Sequence, residues 1–526
     1  MAEIDRTVEE MVAEADTGAR QPKGPLRLVI TGVALCWALF QLWYASPLPF
    51  AFNIGIVNDT QARAIHLSFA LFLAFAAFPA FKHTSLERVP VFDWLAALLG
   101  AFCASYLVIF HSELADRAGA PTSLDLVVAV AGMLLLLEAT RRALGPPLVV
   151  VAVVFLTYTF AGPYMPEVIA HKGASLSKVM SHQWLSTEGV FGVALGVSTS
   201  FVFLFVLFGA LLDKAGAGHY FTQVSFSLLG HLRGGPAKAA VVSSGLSGLV
   251  SGSSIANVVT TGTFTIPLMK RVGFPAHKAG AVEVAASTNG QLTPPIMGAA
   301  AFLMVEYVGV SYIEVIQHAI LPALISYIAL IYIVHLEACK AGMQGLPRRG
   351  SATLTQRLFN ALTVIVGTIV LSLVIYYGLG WTKSVLGNGV YPIASILLLI
   401  AYVLLVRRAA QFPELVMEDP NAELVELPEV KPTVNAGLYY LLPVVVLVWC
   451  LTVERFSPGL AAFWATVFMV IIMVTHKPLK RLFRGEYWQG AILQGGEDLV
   501  TGLISGARNM VGIGVATAAA GIVVGT

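Results

Sequence analysis

The sequence has 526 residues, of which 57% are apolar and only 12% are charged, and its mean hydropathy is +0.78. A water-soluble domain could not bury that much apolar surface, so this composition excludes an ordinary soluble fold. The formal net charge of +2 implies neither a nucleic-acid nor an acidic partner. The four cysteines lack the CxxC spacing of a redox or metal site. We therefore predict an all-α polytopic membrane protein.

Apolar segments follow one another along the chain, and a membrane span needs about 20 largely apolar residues. The predicted spans are 26–45, 65–81, 94–110, 126–139, 148–162, 190–212, 313–335, 359–379, 390–406, 438–453 and 459–474, with a further crossing begun at 510–526. With the N-terminus in the cytoplasm, all but six of the 32 Lys and Arg residues fall on the cytoplasmic side. This bias supports both the spans and the orientation.

The segment 238–267 differs from the other apolar segments because basic residues on both flanks, Lys238 and Lys270, favour the cytoplasm. A polar centre, Ser251-Gly252-Ser253-Ser254, lies between apolar runs of roughly ten residues, each rising about 15 Å as a helix, or half the hydrocarbon thickness. We predict a re-entrant helical hairpin whose tip stops near the midplane. The alternative is one tilted span with a Ser/Gly packing face, since small residues join helices in membranes.

The next segment, 279–307, is interrupted by Asn289-Gly290-Gln291-Leu292-Thr293-Pro294-Pro295. The prolines remove two backbone donors and disfavour helix at Thr293, so the helix should be broken in its middle. A polar hairpin tip beside a broken helix is the arrangement from which transporter sites at the midplane are built. Glu283, six residues before Asn289, either holds a local hydrogen-bond network or reaches the cytoplasmic water.

Motifs for other chemistry are missing from the sequence. GxSxG, HExxH and GxxxxGK[ST] do not occur, so neither a hydrolase nor an ATP-driven pump is predicted. The energy source should then be an ion gradient or a partner.

These residues resemble the large membrane subunit of the tripartite ATP-independent periplasmic (TRAP) transporters. The resemblance lies in Ser251 to Asn257, Thr260-Thr261-Gly262, Pro267-Leu268-Met269, Gly273-Phe274 and Asn289 to Pro295. The four early spans resemble the small membrane subunit of the same systems, fused at the front as in the TAXI subgroup.

The resemblance implies an elevator-type importer in the inner membrane, driven by a sodium gradient and supplied with a small organic acid by a periplasmic solute-binding protein. In such families the hairpin tip and the broken helix form the sodium and substrate sites. The corresponding candidates are Ser251, Gly252, Ser253, Ser254, Asn257, Thr260, Asn289, Gly290, Gln291, Thr293 and Pro294. Of these, Ser253, Asn257, Asn289 and Thr293 are the candidate sodium ligands, because their neutral oxygens suit a hard cation.

The resemblance also predicts the domain organisation. It comprises a cytoplasmic tail (1–25), a four-span scaffold (26–145), a first transport repeat (146–345), linker spans with an acidic cytoplasmic loop (346–436), and the start of a second inverted repeat (437–526). The chain reaches Thr526 before a second SGSS-like or TPP-like motif, so the second repeat is predicted to be incomplete and the sequence truncated. Residues 26–142 contain no polar cluster in mid-span, which favours a bracing role.

Three other functions remain open at this point. A divalent-anion/sodium symporter would need no binding protein, but the four-span front domain argues against it. A membrane-embedded enzyme would need a nucleophile, metal cluster or acid pair, and the sequence suggests none. A structural scaffold would leave the hairpin and the Pro-Pro break unexplained.

Overall fold

Apolar segments in a bilayer must satisfy their backbone hydrogen bonds internally, and the regular elements of the described chain are all helices. The computed structural model describes residues 20, 24–81, 88–252, 254–347, 377–378, 387–415 and 427–526. The main helices are α1 (Pro25–Ala45), α2 (Asp59–Ala77), α3 (Val91–Ile109), α4 (Ser123–Leu144), α5 (Pro146–Ala161), α6 (Leu176–Trp184), α7 (Val193–Lys214), α8 (Ala217–Leu229), α9 (Gly235–Ser251), α10 (Ser254–Arg271), α11 (Ala276–Gly290), α12 (Ala299–Val308), α13 (Tyr312–Lys340), α14 (Val390–Ala409), α15 (Leu442–Thr452), α16 (Pro458–Arg484) and α17 (Gln489–Val524). Short helical segments are Leu48–Phe52, Gly162–Tyr164, His111–Asp116, Gly387–Gly389, Val430–Asn435 and Leu438–Leu441.

Ten of the described helices are long and apolar enough to cross a membrane: α1–α5, α7, α13, α14, α16 and α17. The prediction of an all-α polytopic membrane protein is confirmed. One predicted span differs: residues 438–453 form a shorter apolar helix. The predicted span 359–379 lies outside the described residues except for 377–378.

The last helix begins much earlier than the predicted crossing at 510–526. It starts at Gln489 and runs through 36 residues. Charged residues such as Asp498 interrupted the apolar run in the sequence, but in the folded chain Asp498 accepts a hydrogen bond from Lys477 of α16 at 2.5 Å. Lys477 of α16 thus compensates the charge of Asp498. This charge is the reason why the apolar pattern of the sequence did not reveal the first half of α17.

Helices α1, α2 and α4 of the front domain pack against α17, which also packs against α7 and α16. Glycines allow the close approach: a Cβ at Gly514 would come within 3.2 Å of Ala70 on α2, and one at Gly506 within 2.7 Å of Leu207 on α7. Small residues at such contacts are the usual means of packing helices in membranes. The front domain is therefore joined to the rest of the chain by close helix packing.

A buried charge cluster holds one end of the front domain together. Asp93 of α3 accepts hydrogen bonds from Arg20 at 2.5 Å and from Arg142 of α4 at 2.7 Å, and all three side chains are at most 8% exposed. Arg142 also binds Glu138 at 2.8 Å. Arg20 therefore packs against the domain, whereas the sequence predicted only a polar tail over 1–25.

Helices α9 and α10 pack side by side and form the predicted hairpin. Gly252 ends α9 with a positive φ of 62°, a conformation that favours glycine. The helices have 17 and 18 residues, so each is about 25 Å long, and the predicted length of roughly ten residues per side was too short. Helix α9 is longer because it begins at Gly235, before the apolar run, and continues to Ser251 in the polar centre.

Both ends of the hairpin lie at one end of α13. Lys238, near the start of α9, lies 3.0 Å from His335 Nδ1. Lys278, just after the hairpin, pairs with Glu337. Since His335 and Glu337 are neighbours on α13, the chain enters and leaves the hairpin on the same side, as a re-entrant element requires. The single tilted span is therefore wrong.

The helix predicted to break at the two prolines does so. Helix α11 ends at Gly290, residues 291–298 form turns, and α12 resumes at Ala299. The Tyr312 hydroxyl donates to the carbonyls of Pro295 and Ile296, at 2.5 and 3.2 Å, so α13 satisfies acceptors that the break leaves free.

Candidate functional site

The hairpin and the broken helix meet at Asn257, in the first turn of α10. Its side-chain nitrogen donates to the Ser244 carbonyl at 2.8 Å, to Ser244 Oγ at 2.9 Å and to Ser287 Oγ at 3.1 Å. Ser244 belongs to α9 and Ser287 to α11, and their hydroxyl oxygens lie 2.8 Å apart. One amide thus joins both hairpin helices to the broken helix.

The other atom of this amide, Asn257 Oδ1, is buried and has no hydrogen-bond partner among the described residues. The orientation of the amide is settled by the Ser244 carbonyl, which can only accept and therefore must face the nitrogen. Asn257 is 1% exposed. A buried polar atom without a partner costs free energy and requires an explanation, for which an absent ion is one candidate.

Ser247, one helical turn after Ser244 on α9, has a similar feature. Its hydroxyl oxygen is also buried and unpartnered within the described part of the chain. The sequence had not singled it out, because serines in an apolar helix more often pack against a neighbouring helix.

A second polar cluster lies around Glu283, one turn before Ser287 on α11. This carboxylate is completely buried. It accepts hydrogen bonds from the hydroxyls of Thr261 and of Thr265, the latter at 2.6 Å, and a longer one from Ser287 at 3.4 Å. The prediction of a local hydrogen-bond network at Glu283 is confirmed, and the alternative in which it reaches water is wrong.

The helices α9 and α11 touch where each carries a glycine. A Cβ on Gly248 would lie 2.7 Å from the Gly290 Cα, and a Cβ on Gly290 would meet the Gly248 Cα at the same distance. Only glycine allows this approach, which keeps Ser244 within reach of Ser287. Gly290, a predicted site residue, therefore acts through packing.

The other hairpin residues lie around the tip. Ser254 begins α10 and is partly buried, and Thr260 donates to the Asn257 carbonyl at 3.3 Å. Gly252 lies against the broken helix, since a Cβ there would be 3.2 Å from the Met297 carbonyl. Ser251 is the last residue of α9, but its side chain, like the whole of Ser253, lies outside the described part of the structure.

The predicted residues of the break are partly buried. Thr293 donates to the Asn289 carbonyl at 2.9 Å, and the Gln291 carbonyl accepts from the Gly298 amide at 2.7 Å. Pro294 lies within the turns. These bonds hold the break itself, and the described contacts of Asn257 go to Ser244 and Ser287 instead of to Asn289 or Thr293. A joint role of Asn257, Asn289 and Thr293 in sodium binding stays a prediction.

A further polar link lies in the front domain, where the sequence predicted none. His66 of α2 lies 2.8 Å from the Gln41 amide nitrogen of α1 and 3.1 Å from Ser198 of α7. All three residues are completely buried. Ser198 begins a π-helical turn, Ser198–Val202. Because Gln41, His66 and Ser198 are isolated polar residues far apart in sequence, no local pattern could connect them.

Most of the chain matches a family of known proteins. Residues 131–526 match the family described as "Tripartite ATP-independent periplasmic transporter, DctM component". An uncharacterized protein, y4mL, of Sinorhizobium fredii is 28% identical over 199 residues, which are 37% of this chain and 46% of that protein. The C4-dicarboxylate TRAP transporter large permease protein DctM of Pseudomonas aeruginosa is 27% identical over 174 residues, 32% of this chain and 39% of that protein. The protein of the same name from Rhodobacter capsulatus is 34% identical over 91 residues, 17% and 21% of the two chains.

In each of these matches the chain covers less than half the length of the curated relative. The family match, in contrast, extends over most of the chain and contains the hairpin, the broken helix and α17.

Proposed function

Since the chain belongs to the family of the DctM component of tripartite ATP-independent periplasmic transporters, we propose that it is the permease of a sodium-coupled importer of a small organic acid. Membership of this family assigns it to the transporters and not to the enzymes. The proposed importer receives its substrate from a periplasmic solute-binding protein and lies in the inner membrane, with a cytoplasmic N-terminus.

Sodium coupling is supported by one observation above all, the unpartnered Asn257 Oδ1. An amide oxygen is a suitable ligand for a hard cation. Ser247 Oγ, on the facing helix, offers a second unpartnered oxygen. In a membrane such groups are costly unless they pair or coordinate an ion. The hairpin tip is the proposed place where a sodium ion compensates them.

A carboxylate substrate is supported by the names of the similar proteins. The relatives in Pseudomonas aeruginosa and Rhodobacter capsulatus are described as C4-dicarboxylate transporters. We propose the same chemical class, an organic acid, for this chain.

Movement of the hairpin against a fixed scaffold is supported by the distribution of the apolar core. The hairpin, α11 and α13 share a small cluster that includes Ala240, Met269 and Ala286. A larger cluster runs through the front domain, α7, α16 and α17, and it also includes Met297 of the break, Phe302 of α12 and Tyr312 of α13. In the proposed elevator-type movement, the helices of the small cluster shift against this larger one.

Uptake measurements in proteoliposomes test the proposal. The full-length protein is reconstituted with and without a sodium gradient, and labelled organic acids are supplied with and without candidate binding proteins. The proposal expects uptake that needs both the gradient and a binding protein. Uptake without a binding protein would favour a divalent-anion/sodium symporter, and the absence of uptake under a sodium gradient for every acid and binding protein would contradict the proposal.

The proposed orientation has its own test. Single cysteines at Lys238 and Lys270 should be labelled from the cytoplasmic side only, whereas cysteines at Gly252 and Asn257 should be protected from both sides. Labelling of position 270 from the periplasmic side would contradict the proposed placement of the hairpin.

A further inference from the structure

Glu283 is a buried acid whose partners differ from those of the buried acids in the front domain. The acids buried in the front domain have guanidinium partners: Asp93 binds Arg20 and Arg142, and Asp125 binds Arg117 at 2.8 Å. Glu283 has hydroxyl donors, and no described Lys, Arg or His side chain forms an ion pair with it. A carboxylate in such a place is costly unless a cation neutralises it.

The charged groups of the neighbouring helices lie elsewhere. Lys278, on the same helix, pairs with Glu337 of α13, and Lys238 of α9 contacts His335 of α13. Lys270, five residues beyond Thr265 on α10, is exposed, and five residues of helix span about 7.5 Å. Tyr327 of α13 directs its hydroxyl to the Ala286 carbonyl at 3.3 Å. No described Lys, Arg or His side chain pairs with Glu283, which leaves a cation from solution as its counter-charge.

The oxygen–oxygen distances between Glu283 and its threonine partners suit a carboxyl group that binds a proton better than one that binds a metal ion. Oxygens of different residues around a cation of the size of Ca²⁺ or Na⁺, with bonds of about 2.3–2.6 Å, are held more than about 3 Å apart. Thr265 Oγ1 and Glu283 Oε2 are 2.6 Å apart, and Thr261 approaches the other carboxyl oxygen as closely. Such contacts are hydrogen bonds and leave no room for a metal ion between the oxygens.

Glu283 is connected to Asn257 through a single side chain. Ser287 Oγ contacts Glu283 Oε1 at 3.4 Å and accepts from Asn257 at 3.1 Å. A negative charge on Glu283 would favour a sodium ion near Asn257, and neutralisation would weaken its binding, because opposite charges attract strongly in a medium of low polarity.

We propose that Glu283 takes up a proton from the aqueous phase and releases it during transport, and that this proton competes with the sodium ion at Asn257. Proton uptake converts the carboxylate to a carboxylic acid and removes the charge that favours sodium. This inference rests on the proposed function, whose coupling site it extends.

Infrared difference spectroscopy of the purified full-length protein tests the proton site without transport. As the pH is lowered, the wild type should gain one carboxylic-acid carbonyl band that is missing from the spectrum of Glu283→Gln, beside the bands of the other acids, which both proteins share. Glu337→Gln removes a more exposed acid from α13 and should keep the band. A wild-type spectrum unchanged by E283Q at every pH would overturn the inference.

Sodium-dependent stabilisation against thermal unfolding tests the competition. In the wild type the half-saturating sodium concentration should rise as the pH falls, and in E283Q it should be high and independent of pH. Sodium stabilisation with the same pH dependence in wild type and E283Q would overturn the inference while leaving sodium coupling intact. If E283Q does not fold, Thr265→Val takes its place: loss of a donor to the ionised form should extend the acid band to higher pH, and an unshifted band would contradict the inference.

Discussion

The front domain and the hairpin unit, which comprises α9–α11, both bury acids, but they compensate them differently. In the front domain, guanidinium groups of the protein neutralise Asp93 and Asp125. In the hairpin unit, Glu283 has hydroxyl partners and Asn257 Oδ1 has none among the described residues. A permanent ion pair stabilises a structure, whereas an uncompensated oxygen is available to an ion that enters and leaves. This contrast is the basis on which we propose a bracing role for the front domain and ion binding for the hairpin unit.

The two regions also differ in the size of the side chains through which they pack. The front domain joins the larger apolar cluster, which contains bulky residues such as Trp37 and Phe75. The hairpin unit is packed through small residues, with Gly248 against Gly290. Close glycine contacts bring backbones and short polar side chains together, which large apolar side chains would prevent.

The largest effect on stability is expected from the charge cluster of the front domain. Asp93→Asn leaves Arg20 without its anionic partner inside the protein, and breaking a buried pair costs about 3–5 kcal/mol. Thermal unfolding in detergent should show a large fall in the midpoint. Asp116→Asn, at an exposed position, should leave the midpoint unchanged. An equal loss of stability in Glu283→Gln would contradict the distinction between the two regions.

The next largest effect concerns the glycine contact. Gly248→Ala would place a Cβ 2.7 Å from the Gly290 Cα, and overpacking of this kind costs about 1–3 kcal/mol. We expect loss of uptake together with a lower unfolding midpoint. Gly280→Ala on α11 is the matched control, since a Cβ there meets nothing within 4 Å. Normal uptake by a stable G248A protein would show that the close approach is not needed.

A smaller effect is expected where the front domain meets α7. Ser198→Ala removes one buried partner of His66, which should cost about 1 kcal/mol of stability, with substrate selectivity unchanged. Thr157→Ala removes an exposed hydroxyl that bonds within its own helix and should have no measurable effect. A change in selectivity in S198A would mean that the front domain does more than brace the transport unit.

The sequence predicted the helical spans, the hairpin and the broken helix, because these depend on local features. Apolar length defines a span, and the Pro294-Pro295 pair ends a helix wherever it occurs. The hairpin followed from the basic residues on both of its flanks. Only the end of α17 was predicted, because Asp498 interrupts its apolar pattern. The contact with Lys477 of α16 that compensates this charge is not visible in the sequence.

The site was predicted less completely than the fold. Asn257 was among the predicted candidates, but its partners Ser244 and Ser287 and the Glu283 partners Thr261 and Thr265 were not. Single hydroxyl residues in apolar helices are usually packing residues, and only the crossing of α9, α10 and α11 brings these four around Asn257 and Glu283. The link between Gln41, His66 and Ser198 was missed for the same reason.

The most direct test of the proposed sodium site at the hairpin tip is the sodium dependence of uptake by Asn257→Ala in the full-length protein, with purified yield measured alongside. Loss of one oxygen ligand should raise the sodium concentration for half-maximal uptake on the order of tenfold, equivalent to about 1.4 kcal/mol. Thr293→Ala should also raise it, since the hydroxyl donates its hydrogen to the Asn289 carbonyl and its oxygen can still accept a cation. A stable, well-expressed N257A protein with wild-type sodium dependence would remove Asn257 from the ion site and contradict the account.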